Sequence, residues 1–279
     1  MSESIELPNR ERVFLPGTMI WEVNREAVLL LAGGRALLMQ LAHPKVAAGV
    51  AEHSNFKEDP VGRLHRTMST MWSIVFDDSA RARAALERVQ NAHQKVRGVI
   101  QEAEPVRAGT PYQALDPELL LWVHATLVDS AMVAYDLFVK PLTAEEQGRY
   151  YDDSKKLAFV FEIPEKTVPR SLADFEAYMS RMLAGGAIAV GPTARSLAAE
   201  ILHPRPWSLK LAEPLLSLIT AGSLPQGLRD AYGLGWSARE EKLFGLLAVA
   251  VRRVLPLIPG PLRTVPNARA AEKEYRLLH

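Results

Sequence analysis

Apolar positions along this chain recur at three- and four-residue spacing almost from end to end, as in Leu119, Leu120, Val123, Leu127 and Ala131. That period places them on one face of a helix. Helix starts can be read from capping residues: Ser79, Asp116 followed by Pro117, Thr143 with Glu146, Ser171 with Asp174, and Ser237 with Glu240. A short polar side chain there accepts from orphan backbone N–H groups, and a carboxylate three residues on returns the contact. Alternating β-branched runs and Asn-Gly or Asp-Gly turns are lacking, so strands are not expected. Proline and glycine gather at joints near 105–111, 164–169, 203–206 and 256–261. The pattern predicts roughly eleven helices in a single large all-α domain over residues 1–279. Residues 1–20 form an arm and 256–279 a tail with a short helix.

Composition narrows the chemistry more than the fold. The 279 residues carry 33 Lys plus Arg against 32 Asp plus Glu, a net charge of +1. Such a balance gives no nucleic-acid footprint. The N-terminus is polar and lacks the apolar core of a secretory signal. Two long apolar stretches are interrupted, one by Arg35 and the other by Arg252 and Arg253, so neither spans a bilayer. A core helix ending at Pro256 explains the second stretch, which would also suit peripheral contact with a membrane surface. A soluble cytoplasmic protein is the expectation. With no cysteine, thiolate-bound haem, iron–sulfur clusters and cysteine zinc sites are excluded. Any metal must hang on the seven histidines and the carboxylates.

Phosphate-cradling glycine loops, the zinc-binding His-Glu-x-x-His helix and the nucleophile elbow are all missing. A di-iron carboxylate bundle needs two Glu-x-x-His motifs; only Glu200–His203 exists, and Pro204 ends its helix. What remains is a pair of histidines on apolar stripes. His93 follows Leu86 and Val89 and precedes Val96 and Ile100, on a helix opened by Ser79. His124 is flanked one turn either side by Leu120, Leu121, Leu127 and Val128. Both imidazoles are expected to be buried. Each reads as a core histidine holding one hydrogen bond, or as the neutral imidazole that a haem iron takes. Upstream, Asp59 and Pro60 start a helix on which Arg63 and Thr67 share a face, near Met68, Met71, Trp72 and Phe76. An arginine fork beside a hydroxyl suits a propionate or an oxygen species, or else a capping contact.

Four blocks carry a resemblance: HPKVAAGVAEHSNF, DPVGRLHRT, ALERVQNAHQKVRG and YQALDPELLLWVHATL, in that order. Together they resemble the rubber-oxygenase catalytic-domain family, which includes latex-clearing proteins and a fungal membrane-bound oxygenase of mycophenolic acid synthesis. The likeness spans about residues 25–250, and TARSLAAEILHP and TAGSLPQGLRDAYGLGW extend it. It implies a helical domain holding b-type haem and using dioxygen to cleave carbon–carbon double bonds. The family's Arg-x-x-x-Thr pair falls on Arg63 and Thr67, and its ligand histidine falls on His93, with His124 as the rival. The lysine that can close the distal iron position is here Arg66, which stays protonated and cannot ligate iron. The missing secretory signal argues against rubber as substrate.

The resemblance thus implies an oxygenase that uses haem b and dioxygen on an apolar, isoprenoid-like small molecule. Glu52 or His53 is a weak suggestion for a general base. Two other classes stay open. A haem-binding sensor, carrier or redox partner would be favoured by a bis-histidine site of His93 and His124. A helical interaction protein would use both histidines only as core. Of the other histidines, His43, His53 and His65 are candidates for pocket lining, whereas His203 and His279 are not.

Overall fold

The computed structural model describes residues 12–54, 60–102, 105–203 and 210–278. It is 71% helical, an all-α single domain with, among the described residues, fourteen α-helices and one tiny sheet. In chain order the helices are α1 Met19–Asn24, α2 Gly33–Leu41, α3 Pro44–His53, α4 Pro60–Phe76 and α5 Ser79–His93. Then come α6 Pro117–Phe138, α7 Ala144–Val160, α8 Leu172–Ala184, α9 Pro192–Leu202 and α10 Glu213–Ser223. The last four are α11 Gln226–Ala231, α12 Ala238–Val254, α13 Gly260–Arg263 and α14 Pro266–Leu278. A 3-10 turn, Ala27–Ala32, links α1 to α2.

The predicted caps hold at α6, α7, α8 and α12, and the last three are complete capping boxes. At α5 the cap lies one residue earlier than expected. Asp78 accepts from the backbone N–H of Arg81 at 2.9 Å, and Ser79 is the first helical residue. There are more α-helices than the roughly eleven expected, because short ones such as α11 and α13 fill the joints.

The 22-residue α6 runs through the middle of the molecule. Trp122 and Ala125 are fully buried on it, and it packs against α1, α2, α7, α12 and the 3-10 turn. The opposite end of the chain docks on the same core. Val265, Ala268 and Ala271 are buried around α14, which packs on α4. Trp21 donates its indole N–H to Glu272 at 3.2 Å, and Arg25 pairs with the same carboxylate. The C-terminal segment is therefore part of the domain's core packing rather than a loose tail.

Two strands, β1 Arg97–Val99 and β2 Pro111–Gln113, pair antiparallel with Gly98 opposite Tyr112. Gly98 is required there: a Cβ would lie 2.7 Å from the Tyr112 hydroxyl. No single helix among the described residues is long and apolar enough to cross a membrane.

Candidate active site

Two cavities lie in succession along α6. Its first turns, with Leu119, Leu120 and Val123, line one of about 300 Å³, closed by Val46 and Val50 of α3 and by His93. The middle turns, with His124, Leu127 and Ala131, line a smaller one of about 70 Å³ together with Met68 and Trp72 of α4. Both walls are chiefly aliphatic, as in a site for an apolar molecule.

His124 is 7% exposed, and its Nε2 has no hydrogen-bond partner among the described residues. Burial lowers its pKa to about 4, because the charged imidazolium would lie in an apolar wall. The ring is therefore neutral at pH 7, with an unused nitrogen. His93 differs from the expectation. The helix does not run on through Val96 and Ile100; it ends at His93, and the chain turns into β1. His93 is consequently half-buried at a helix end, not enclosed in the core. Val96 lines its cavity from the hairpin side and Ile100 is buried beyond it. An apolar spacing produced by a helix end and a hairpin imitated one continuous helix.

The rim of the larger cavity is polar. His53 lines it and packs edge-on to Tyr112, with centroids 6.2 Å apart. Tyr112 donates its hydroxyl to Glu52 at 2.5 Å. Burial, and then the Glu52 carboxylate, push the tyrosine's pKa up. Glu52 is thus engaged by a proton donor.

A family model described as ER-bound oxygenase mpaB/B'/rubber oxygenase, catalytic domain, matches residues 21–253. The chain belongs to this oxygenase family. Among its relatives are the uncharacterized proteins Mb2261 of Mycobacterium bovis and Rv2237 of Mycobacterium tuberculosis. Each is 29% identical over 229 residues, which is 80% of this chain and 87% of the relative. No solved structure matches the chain.

Against the family pattern, the other expected residues are distributed as follows. Arg63 and Thr67 share α4, but the Arg63 side chain lies outside the described residues, as does Asp59. Thr67 is half-buried and precedes Met68, which lines the His124 cavity. His65 and Arg66 are exposed. His93 and His124 line different cavities. His43 caps α3, accepting from the Lys45 N–H at 3.2 Å; burial and then the Lys45 charge lower its pKa to about 4. His203 is exposed and its Nδ1 meets Glu213 at 2.7 Å. Among the described residues no cluster of three or more His, Asp or Glu could hold a metal ion. An iron held by one imidazole within a macrocycle needs no such cluster.

Three polar groups near the cavities were not singled out from the sequence. Arg35, 4% exposed, pairs with Asp129 at 2.6 Å and donates to the Ser130 hydroxyl and the Ser223 carbonyl, tying α2 to α6 and α10. Its signal was an arginine inside an apolar run. Glu26 lines the His124 cavity and accepts from Nε and Nη2 of Arg263, at 2.7 and 2.8 Å. Tyr150 lines the same cavity, and burial pushes its pKa up to about 12. Nothing local in the sequence marks those two.

Proposed function

We propose that the chain is a haem b-dependent oxygenase that acts with dioxygen on an apolar, isoprenoid-like small molecule, with His93 as the iron ligand. The observation that carries this is the size and lining of the His93 cavity. At about 300 Å³ it is the larger of the two along α6, and it places one imidazole among Val46, Val50, Leu120 and Val123. With no cysteine in the chain a thiolate ligand is excluded, and a neutral imidazole on an apolar wall is a ligand that haem iron takes. Membership of an oxygenase family supports the oxygenase reading, and the sequence resemblance implies His93 as the ligand.

Bound haem would supply the activation of dioxygen; the chain supplies burial, orientation and hydrogen bonds. The aliphatic part of the walls lowers the local dielectric, which strengthens polar contacts made against it. Arg63 and Thr67, one turn apart on α4, offer a guanidinium and a hydroxyl for haem propionates or for dioxygen. The smaller cavity, with Met68, Trp72 and Leu127, would hold part of the apolar substrate. Neutral His124 there can accept a hydrogen bond from it. On the same reading the catalytic domain works in the cytoplasm.

A second assignment of the ligand rests on a separate observation: the unpartnered Nε2 of His124. Reconstitution with haem decides between them. We expect a Soret band that His93→Ala abolishes and His124→Ala leaves in place; the reverse result transfers the iron to His124. If no band forms, the haem reading is wrong; a band that neither variant changes gives the iron another ligand and overturns both assignments. Haem binding without uptake of CO or dioxygen by the ferrous form would make the protein a haem carrier or sensor instead.

A further inference from the structure

From Lys242 to Ala271 the chain carries five cations, Lys242, Arg252, Arg253, Arg263 and Arg269, and no carboxylate. Two of the five serve the fold. Arg263 holds Glu26, and Arg252 donates to the carbonyls of Asp136 and Leu137 at the end of α6. The other three are exposed. The acids just before this run are also occupied: Glu240 completes the capping box of α12, and Glu241 accepts from the Trp236 indole at 2.6 Å.

The inner face of α12 is ordinary, with Phe244 and Ala248 buried in a cluster with Ala134, Phe138 and Ile219. Its outer face is not. Leu243, Leu246, Ala250 and Val254 follow one another at three- and four-residue spacing, so they form one stripe, and all are exposed. Lys242, Val249 and Arg253 form the adjacent column. Beyond the helix, Leu257 and Leu262 are 80% and 74% exposed. Isolated exposed leucines are unremarkable, but a continuous apolar stripe edged by cations marks an interaction surface.

We infer that the α12–α13 face docks peripherally on an anionic lipid surface, which delivers the apolar substrate to the cavity of His124. Charge complementarity selects this occupant. A second copy meeting the face about a two-fold axis would set the same cations against one another, whereas acidic headgroups satisfy them and the acyl boundary takes the leucines. The face also borders the site. Arg263 of α13 clamps Glu26 of the cavity wall, and Leu30, 40% exposed, lines the same cavity from the 3-10 turn on which α13 packs. The delivery role rests on the proposed function; the docking does not.

The test is flotation of the full chain with vesicles of phosphatidylcholine alone or mixed with phosphatidylglycerol. We expect binding to the mixed vesicles to exceed that to neutral ones at least tenfold and to weaken as salt is raised. Lys242→Gln with Arg253→Gln should cost roughly fivefold per cation. Leu246→Gln with Leu257→Gln, on exposed side chains, should cost about tenfold with an unchanged melting curve. Absence of binding to the anionic vesicles, or binding that neither pair weakens, overturns the inference. So does sedimentation showing a dimer that the leucine pair dissolves, since the face would then bind another copy. The readout needs no haem. A missing Soret band would therefore defeat the oxygenase reading while leaving this surface in place.

Discussion

A histidine whose ring is held neutral by burial makes stability depend on pH in a definite direction. His124 and His43 both have pKa values lowered to about 4 in the folded chain, against 6.5 for an ordinary imidazole. Above 6.5 neither state takes up the proton, and their contribution to stability is fully present. As pH falls from 6.5 towards 4 the unfolded chain binds protons that the folded chain refuses, and that stability is lost. For His124 the loss is on the order of 3 kcal/mol, at about 1.4 kcal/mol per pH unit. In the haem-free protein, His124→Phe should therefore flatten the urea midpoint between pH 6.5 and 4, without destabilisation at pH 8. An unchanged acid slope in that variant would show that His124 is protonated in the fold. The sequence revealed the apolar surroundings of His124, which its own helix neighbours supply. It misplaced His93, whose environment comes from a turn and a hairpin rather than from helical neighbours. Arg35 was visible only as an interruption, because its partners Asp129, Ser130 and Ser223 are far away in the chain.

At the scale of elements, the seating of α12 depends on the lack of a side chain across from it. A Cβ at Gly222 of α10 would lie 2.6 Å from ring carbons of Phe244 and 2.9 Å from Trp236. Both rings are tied down, Phe244 in the buried cluster and Trp236 by Glu241. Gly222→Ala should accordingly destabilise by about 1–3 kcal/mol, read as a lower melting temperature. A melting temperature equal to or above the parent's would mean that α10 and α12 have room to part. Helix starts were legible because capping is local chemistry: Thr143 with Glu146 and Ser237 with Glu240 complete their contacts within three residues. Helix ends were less so. The end of α5 is set by the pairing of β1 with β2 and by the close approach of Tyr112 to Gly98, neither of which periodicity encodes.

Across the whole molecule, residues 12–25 are clasped to α4 and α14. Arg12 reaches the carbonyl of Phe76 and pairs with Glu274 at 2.5 Å, while Glu272 serves Trp21 and Arg25. Deleting residues 265–279 removes Val265, Ala268 and Ala271 from the core and leaves the Trp21 indole N–H without its acceptor. The melting temperature should fall by about 10 °C, as expected for a loss of roughly 3–5 kcal/mol. Unchanged melting would show α14 to be an appendage. The all-α class was legible from the sequence. The docking of the C-terminal segment was not, since its small buried alanines give a weak apolar signal. The succession of two cavities along α6 carries a last consequence. An unbroken helix advances about 1.5 Å per residue, so the spacing of the two chambers is fixed by the count of residues between Leu120 and Ala131. On the proposed reading, α6 is a ruler. For a chain-like molecule gripped at one end beside His124, the bond presented beside His93 would be chosen by helix geometry, and regioselectivity would be written in the length of α6.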